Sequence, residues 1–478
     1  MTPGQLALYH KLPYPLRVLA ATARGHVLRQ RRYGPESDQL VAEALERESW
    51  SAKRWDDWQR ERLGLVLHRA ATQVPYYREL WASRRRRGDH RSWDDLANWP
   101  LLEKGALRAS PAAFVADDCD PRRMILEQTS GSTGTPLELW WNRAMVRSWY
   151  ALFEARLRVW NGVSRHTRWA IVGGQVVASV KSRRPPFWVW NQALNQLYMS
   201  AFHLAPDLVA DYLDALRRYR IRYLLGYTSA LYELALGMLA EKRDDLGMTV
   251  ILANAEPVFD YQRQAIEAAF RCPLRETYGM SEAVAAASEC PAGRLHLWPE
   301  VGWLEVIGDE AGAEDGSGEL VTTGLLNLDM PLIRYRVGDR GRLAASGGIC
   351  PCGRTLPILD SVEGRVSDIL YMADGRAVGR LDPALKSHLP VLETQIIQET
   401  PERIVVKLIP AADYTPEGGA MIVSQLQTRL GAVEIVLEPV DSIPRTANGK
   451  FQSVICKLTP EQKVFQRRSE FENLRMNQ

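Results

Sequence analysis

The chain has 478 residues, 46% hydrophobic and 24% charged, which is too long for one ordinary core and leads us to expect two or more domains. A formal charge of +3 is too small to imply a nucleic-acid or membrane partner. No stretch reaches the roughly 18 to 20 consecutive apolar residues of a membrane-spanning helix.

In chain order, Leu6 to Leu28 mixes apolar and basic residues and lacks the apolar run and small-residue cleavage site of a signal peptide. It reads as a surface helix packed on the protein, with weak peripheral membrane association as the lesser reading. Residues 1–100 read as a helical part of the large domain, with helical spacing of apolar residues from Glu43 to His68. Arg84 to Arg87 read as a solvated loop or helix end. From about residue 120 to 340 short apolar strands alternate with helices. Arg168–Gly173 and Arg222–Gly226 are predicted strands, and Ala205–Tyr219 and Asp260–Phe270 predicted helices. Glu319–Thr323 and Gly341–Ala345 are strands of a β-rich portion. This is the pattern of an α/β domain with a largely parallel sheet. After a break near Gly364–Asp368, Thr394–Glu399, Arg403–Leu408, a helix over Gly418–Leu430 and Val433–Glu438 form a small α+β domain. The expected division is 1–100, 101–366 and 367–478.

Thr129-Ser130-Gly131-Ser132-Thr133-Gly134-Thr135-Pro136 sets two glycines among five hydroxyl residues. Glycine lets the backbone turn tightly and approach an anion, and successive N–H groups and hydroxyls can cradle phosphate oxygens. The lysine of a P-loop is missing after Gly134, so a P-loop kinase or GTPase is disfavoured. Six cysteines are sparse for a disulfide scaffold, and a cytoplasmic location is the default. Cys350-Pro351-Cys352-Gly353 places two thiols one residue apart; with Cys290 and His296 they make a Cys₃His set suited to a closed structural zinc site. Four protein ligands leave no open position for catalysis.

Five motifs in order resemble those of the adenylate-forming superfamily, which contains acyl-CoA ligases, luciferases and peptide-synthetase adenylation domains. The chain looks most like the phenylacetate–CoA ligase branch, and more narrowly the CapK-like group associated with capsule polysaccharide genes. Val74-Pro75-Tyr76-Tyr77-Arg78 and Trp99-Pro100-Leu101-Leu102 extend the resemblance upstream of the phosphate loop. The resemblance implies a large N-terminal α/β domain and a small mobile C-terminal domain. In Thr277-Tyr278-Gly279-Met280-Ser281-Glu282 it places Tyr278 near adenine, Ser281 at the α-phosphate and Glu282 on Mg²⁺. Ala255-Glu256-Pro257, with Asn254 in the family's glycine position, lines the adenine pocket, and Asp339 of Tyr335-Arg336-Val337-Gly338-Asp339 accepts from the ribose hydroxyls. In Gly364-Arg365-Val366-Ser367-Asp368, Arg365 contacts the nucleotide and Ser367, beside Asp368, stands at the hinge. Lys450 of Pro444-Arg445-Thr446-Ala447-Asn448-Gly449-Lys450 enters the active site during adenylation. His203, Tyr227 and Ser229 line the acyl pocket.

By that resemblance a small-molecule carboxylic acid reacts with ATP to give an acyl-AMP and pyrophosphate. The acyl group then passes to a thiol, with CoA the leading acceptor and AMP the leaving group. Transfer to an amine, sugar amine or carrier protein is the alternative, and a non-catalytic scaffold the second. No CoA motif is readable, and nothing in the pattern names the acid or the oligomeric state.

Overall fold

The computed structural model describes residues 8–128, 137–175, 177–178, 182, 184–204, 208–308, 316–344, 350–365, 370–373, 377–378, 391–411, 414–430, 433–444, 451–459 and 462. Two compact units emerge. The first comprises residues 1–258, 262–337 and 342–361; the second comprises 259–261, 338–341 and 362–478.

Helices α1 (Tyr14–Arg32), α2 (Ser37–Glu46), α3 (Ala52–Gln73) and α4 (Pro75–Arg86) open the first unit. The helical spacing over Glu43–His68 is interrupted rather than continuous. The chain turns at Trp50, and the Ser51 hydroxyl accepts from the Arg54 N–H at 3.2 Å to start α3 afresh. The arginine run closes α4, where positive charge meets the negative helix end. Helix α5 (Lys104–Ala109) precedes the antiparallel pair β1 (Ile125–Gln128) and β2 (Glu138–Trp141). Helix α6 (Arg143–Phe153) follows.

The central sheet is built from β3 (Trp169–Gly173), β4 (Trp188–Asn191), β5 (Gln196–Ser200), β6 (Tyr223–Tyr227), β7 (Val250–Asn254), β8 (Leu274–Gly279), β9 (Ala286–Glu289) and β10 (Leu295–Leu297). Its spatial order is β10-β9-β8-β7-β6-β3-β5-β4. Strands β5, β3, β6, β7 and β8 run parallel, and β4 and β9 pair antiparallel. Both faces of the parallel strands are covered, so their sequences are continuous apolar runs rather than alternating ones. Leu224 and Ile251 pack into one core with Leu213 of α7 (Val209–Arg218), Leu231 of α8 (Thr228–Ala240) and Ile266 of α9 (Asp260–Phe270). Their neighbours Tyr223, Leu225, Val250 and Leu252 pack into a second core with Leu152, Leu157 and Trp298. Helix α7 is shorter than predicted; residues 205–207 of the predicted helix lie outside the described ones.

Strand order reverses at β3: β5 lies on one side of it and β6 on the other. In open parallel sheets such a switch opens a crevice at the carboxyl ends of the strands, where ligands bind.

The β-rich portion orders as β11 (Gly302–Ile307), β12 (Gly318–Gly324), β13 (Tyr335–Leu343) and β14 (Leu359–Arg365). Strand β13 starts six residues earlier than the predicted strand at Gly341. Its Gly338 has φ 86°, so a bend that reads as a turn is carried inside a strand.

The second unit holds the short pair β15 (Leu370–Tyr371) and β16 (Ala377–Val378), then β17 (Val391–Thr400), β18 (Arg403–Pro410), α10 (Pro416–Leu430), β19 (Glu434–Pro439) and β20 (Val454–Cys456). The larger sheet orders as β19-β18-β17-β20. Ile396, Ile404, Val406, Ile422 and Leu426 form its core. Among the described residues no helix is long and apolar enough to cross a membrane.

Candidate active site and metal centre

The sequence-predicted residues of the first unit gather at the carboxyl ends of the parallel strands. His203 follows β5, Tyr227 ends β6 and Ser229 lies in the first turn of α8. Ala255–Pro257 follow β7, Thr277–Gly279 end β8, and Met280, Ser281 and Glu282 come directly after. Motifs distant in sequence thus lie along the edge that contains the strand-order switch.

The backbone there is unusual. Ala255 has φ 63° and Ala283 φ 50°, a left-handed region that non-glycine residues rarely adopt. Asn254 Oδ1 is buried and has no hydrogen-bond partner among the described residues. A buried acceptor of this kind is uncommon in a folded protein. Thr277 Oγ1 donates to the Ala253 carbonyl at 2.9 Å, joining the ends of β7 and β8. Glu256 is engaged at the start of α8. Its carboxylate accepts from Ser229 N–H at 2.8 Å and from Ser229 Oγ at 3.1 Å, capping the positive end of α8. Burial, chiefly, with the nearby Glu256 charge adding, raises Tyr227 above the usual phenol range. His203 is buried, with Nδ1 2.9 Å from Ser200 Oγ and its ring stacked on Phe187 at 4.6 Å.

Glu282 is buried, and the Tyr335 hydroxyl donates to its Oε1 at 2.8 Å. Lys104 Nζ stands 4.0 Å from the same oxygen and donates to the Val337 carbonyl at 2.9 Å. A parallel bridge between Leu102 and Tyr335 fixes this arrangement. Lys104 is a site residue that the sequence reading missed; its signal was its position two residues beyond the Trp99–Leu102 segment. Tyr335 stood inside a recognised motif without a role. Asp339 lies in β13, half-buried, and Arg365 ends β14. Thr129 to Pro136, Val366, Ser367, Asp368 and Arg445 to Lys450 lie outside the described residues.

Cys290, His296, Cys350 and Cys352, brought together from positions 60 residues apart, offer donor atoms all within 4.8 Å of one another. Cys290 Sγ and Cys350 Sγ are 3.8 Å apart, and Cys352 Sγ is 3.4 Å from His296 Nε2. Tetrahedral coordination with metal–sulfur bonds of about 2.3 Å requires sulfurs about 3.8 Å apart, so the donor set fits a closed metal site. His296 Nδ1 lies 3.0 Å from the Leu356 carbonyl, which suits an Nδ1–H donor and leaves Nε2 for a metal. Burial, above all, lowers His296 below its usual range and favours the neutral, ligating imidazole. Trp55, Trp160 and Leu356 wall the cluster.

The N-terminal helices are fastened to this centre through Glu48. Its carboxylate accepts from Trp160 Nε1 at 2.6 Å and Arg354 Nε at 2.8 Å, and its carbonyl accepts from the Thr355 N–H at 3.1 Å. Next to it Arg156, fully buried, makes a two-pronged pair with Glu300, both contacts at 2.8 Å.

The parallel sheet, the β-rich portion and the small α+β unit make up the fold of the adenylate-forming acyl-CoA ligase superfamily. A 2-hydroxyisobutyryl-CoA ligase, solved in the postadenylation state with 2-HIB-AMP, superposes with a TM-score of 0.65 at 22% identity, covering 90% of this chain and 94% of that one. In sequence the chain is similar to CapK and to phenylacetate–CoA ligases. The family described as the CapK C-terminal domain matches residues 370–457. Protein CapK of Staphylococcus aureus is 24% identical over 93% of this chain and 97% of its own length. Phenylacetate-coenzyme A ligase of Escherichia coli (strain K12) is 26% identical over 66% of this chain and 72% of its own.

Proposed function

We propose that this protein is an AMP-forming carboxylic acid ligase. The observation that carries this reading is the alignment of Tyr227, Asn254–Pro257 and Thr277–Glu282 along the carboxyl-end edge with the strand switch, with an orphaned buried acceptor among them. A carboxylate oxygen attacks the α-phosphorus of ATP, the bond to the bridging oxygen breaks, and pyrophosphate leaves with that electron pair. A thiol, that of CoA, then attacks the acyl carbon. The acyl–oxygen bond breaks, AMP leaves and the thiol proton passes to solvent. Two structures of one solved relative, a 2-hydroxyisobutyryl-CoA ligase in the postadenylation state with an acyl-AMP, support the adenylate as the intermediate.

Roles follow the resemblance. Thr129–Thr135 hold the phosphates, Tyr278 and Ala255–Pro257 the adenine, and Asp339 the ribose. Lys450 and Arg365 offset charge in the transition state, and positioning and charge neutralisation carry the rate. Ser367 and Asp368 form the hinge of a mobile C-terminal domain. Glu256 supports its loop through Ser229, so the adenine contact falls to the backbone. Glu282 would hold Mg²⁺, a hard cation that takes carboxylate and phosphate oxygens and screens the phosphate charge. Lys104 and the Tyr335 hydroxyl orient that carboxylate. His203, Tyr227 and Ser229 face the acid. The Cys₃His cluster would hold zinc in a structural role. A cytoplasmic location, where ATP and reduced thiols are abundant, belongs to the same reading.

The test is acid-dependent exchange of labelled pyrophosphate into ATP, run with a panel of aryl and alkyl acids. Exchange with at least one acid, lost in Lys450→Ala, followed by thioester formation on adding CoA, is expected. ATP binding with no exchange for any acid would refute the enzyme reading.

A further inference from the structure

Away from the carboxyl ends of the parallel strands, the last turns of α1 border a cleft of about 420 Å³ at the amino ends of β3 and β5, where Trp169 and Asn195 line it. Its walls carry Arg29, Arg32, Arg158, Arg165, His26 and His166. The sequence prepares this charge: residues 1–35 contain Lys11, Arg17, Arg24, Arg29, Arg31 and Arg32 and no acidic residue.

Two of the four guanidinium groups are matched. Arg158 Nη1 pairs with Glu154 Oε2 at 2.7 Å, and Arg165 Nη2 with Asp38 Oδ1 at 2.7 Å. Among the described residues Arg29 and Arg32 make no ion pair. Arg32 is half-buried, its guanidinium 4.5 Å from the Tyr150 ring centre; the charge of Glu127 also reaches it. Partial burial of a cation without a paired carboxylate is costly, and an entering anion would offset that cost. Guanidinium forks match phosphate oxygens two at a time. The cleft is larger than a bare ion needs and has room for a small organic group beside it. It lies at the opposite ends of the strands from the proposed nucleotide residues, so it does not belong to that site and does not depend on that reading.

We propose that this cleft binds a phosphate group borne by a small organic molecule or by a lipid headgroup. The lipid source arises because the outward face of α1 presents Leu16, Leu19 and Val27, 48%, 65% and 49% exposed, beside the same arginines.

The test uses the full chain and two probes. Calorimetric titration with glycerol 3-phosphate reads the soluble source. Co-sedimentation with phosphatidylcholine vesicles, with and without phosphatidylglycerol, reads the lipid one. At least one probe should bind, about tenfold more weakly to Arg29→Glu with His166→Ala. Both residues are exposed, so the fold should survive, and an unchanged unfolding temperature checks it. Arg122→Glu, on an exposed turn that does not line the cleft, should bind as the parent does. Binding of glycerol 3-phosphate assigns a soluble ester, and binding only of phosphatidylglycerol vesicles assigns a headgroup. Failure of both probes, or equal binding by the Arg29→Glu variant, overturns the proposal.

Discussion

The hydroxyl of Tyr335 is a small group in a decisive place, because it donates to Glu282 Oε1 at 2.8 Å. Tyr335→Phe keeps the buried ring and deletes the hydroxyl that makes that bond. Stability should fall by about 1 kcal/mol in urea unfolding, and the Mg²⁺ concentration for half-maximal pyrophosphate exchange should rise several-fold. An unchanged Mg²⁺ dependence would remove Tyr335 from the site. Cysteine chemistry offers a second check. Burial, with Glu267 nearby, pushes the Cys272 thiol up to about 12. At pH 8 its thiolate fraction should be roughly a thousandfold below that of the same thiol in the unfolded chain. Peptide mapping after brief iodoacetamide treatment should find Cys272 unmodified in the native protein and modified in urea.

Among the elements, β11 sits unusually close to the loop after Glu282. A Cβ on Gly302 would come 1.8 Å from the Val284 carbonyl oxygen, so only glycine fits. Gly302→Ala should cost about 3 kcal/mol or more and displace the Glu282 loop, lowering exchange more than acid binding; full activity at parental stability would contradict the packing described. The Cys₃His cluster ties that same region to the β-rich portion. Metal analysis should find about one zinc per chain. Cys352→Ala should lose it and unfold at a lower temperature, whereas a metal-free parent would end the zinc reading.

These elements also show what a linear reading can reach. Continuous apolar runs announced β3 and β6, because strands covered on both faces cannot alternate; β7 has the same kind of run and was not picked out. The cysteine spacing singled out a Cys₃His set whose donor atoms the structure brings together. The break at Trp50–Ser51 was hidden because apolar spacing continues across it, and β13 was masked by its polar run from Arg336 to Arg342. Lys104 and Glu48 escaped for a different reason. Each is an ordinary charged residue whose partners stand 178 and 306 positions away, and no local pattern encodes such a distance.

For the molecule as a whole, a core that belongs to the second unit alone implies a separable piece. The second unit has its own sheet and helix around Ile396, Val406 and Leu426, and its family match spans residues 370–457. A fragment covering 362–478 should therefore show a cooperative thermal transition by circular dichroism. A non-cooperative melt would mean that this core is insufficient alone.

Glu48 sets a limit on how the protein can be engineered. Trimming the chain to start near residue 100 would look harmless on paper, since the recognised chemistry begins later. It would strip the carboxylate from Trp160 and Arg354 and the backbone acceptor from Thr355, removing the partner of the buried Trp160 donor beside the cysteine cluster. Minimal expression fragments, fusion joints and circular permutants should keep α2 and α3 attached and place new termini elsewhere.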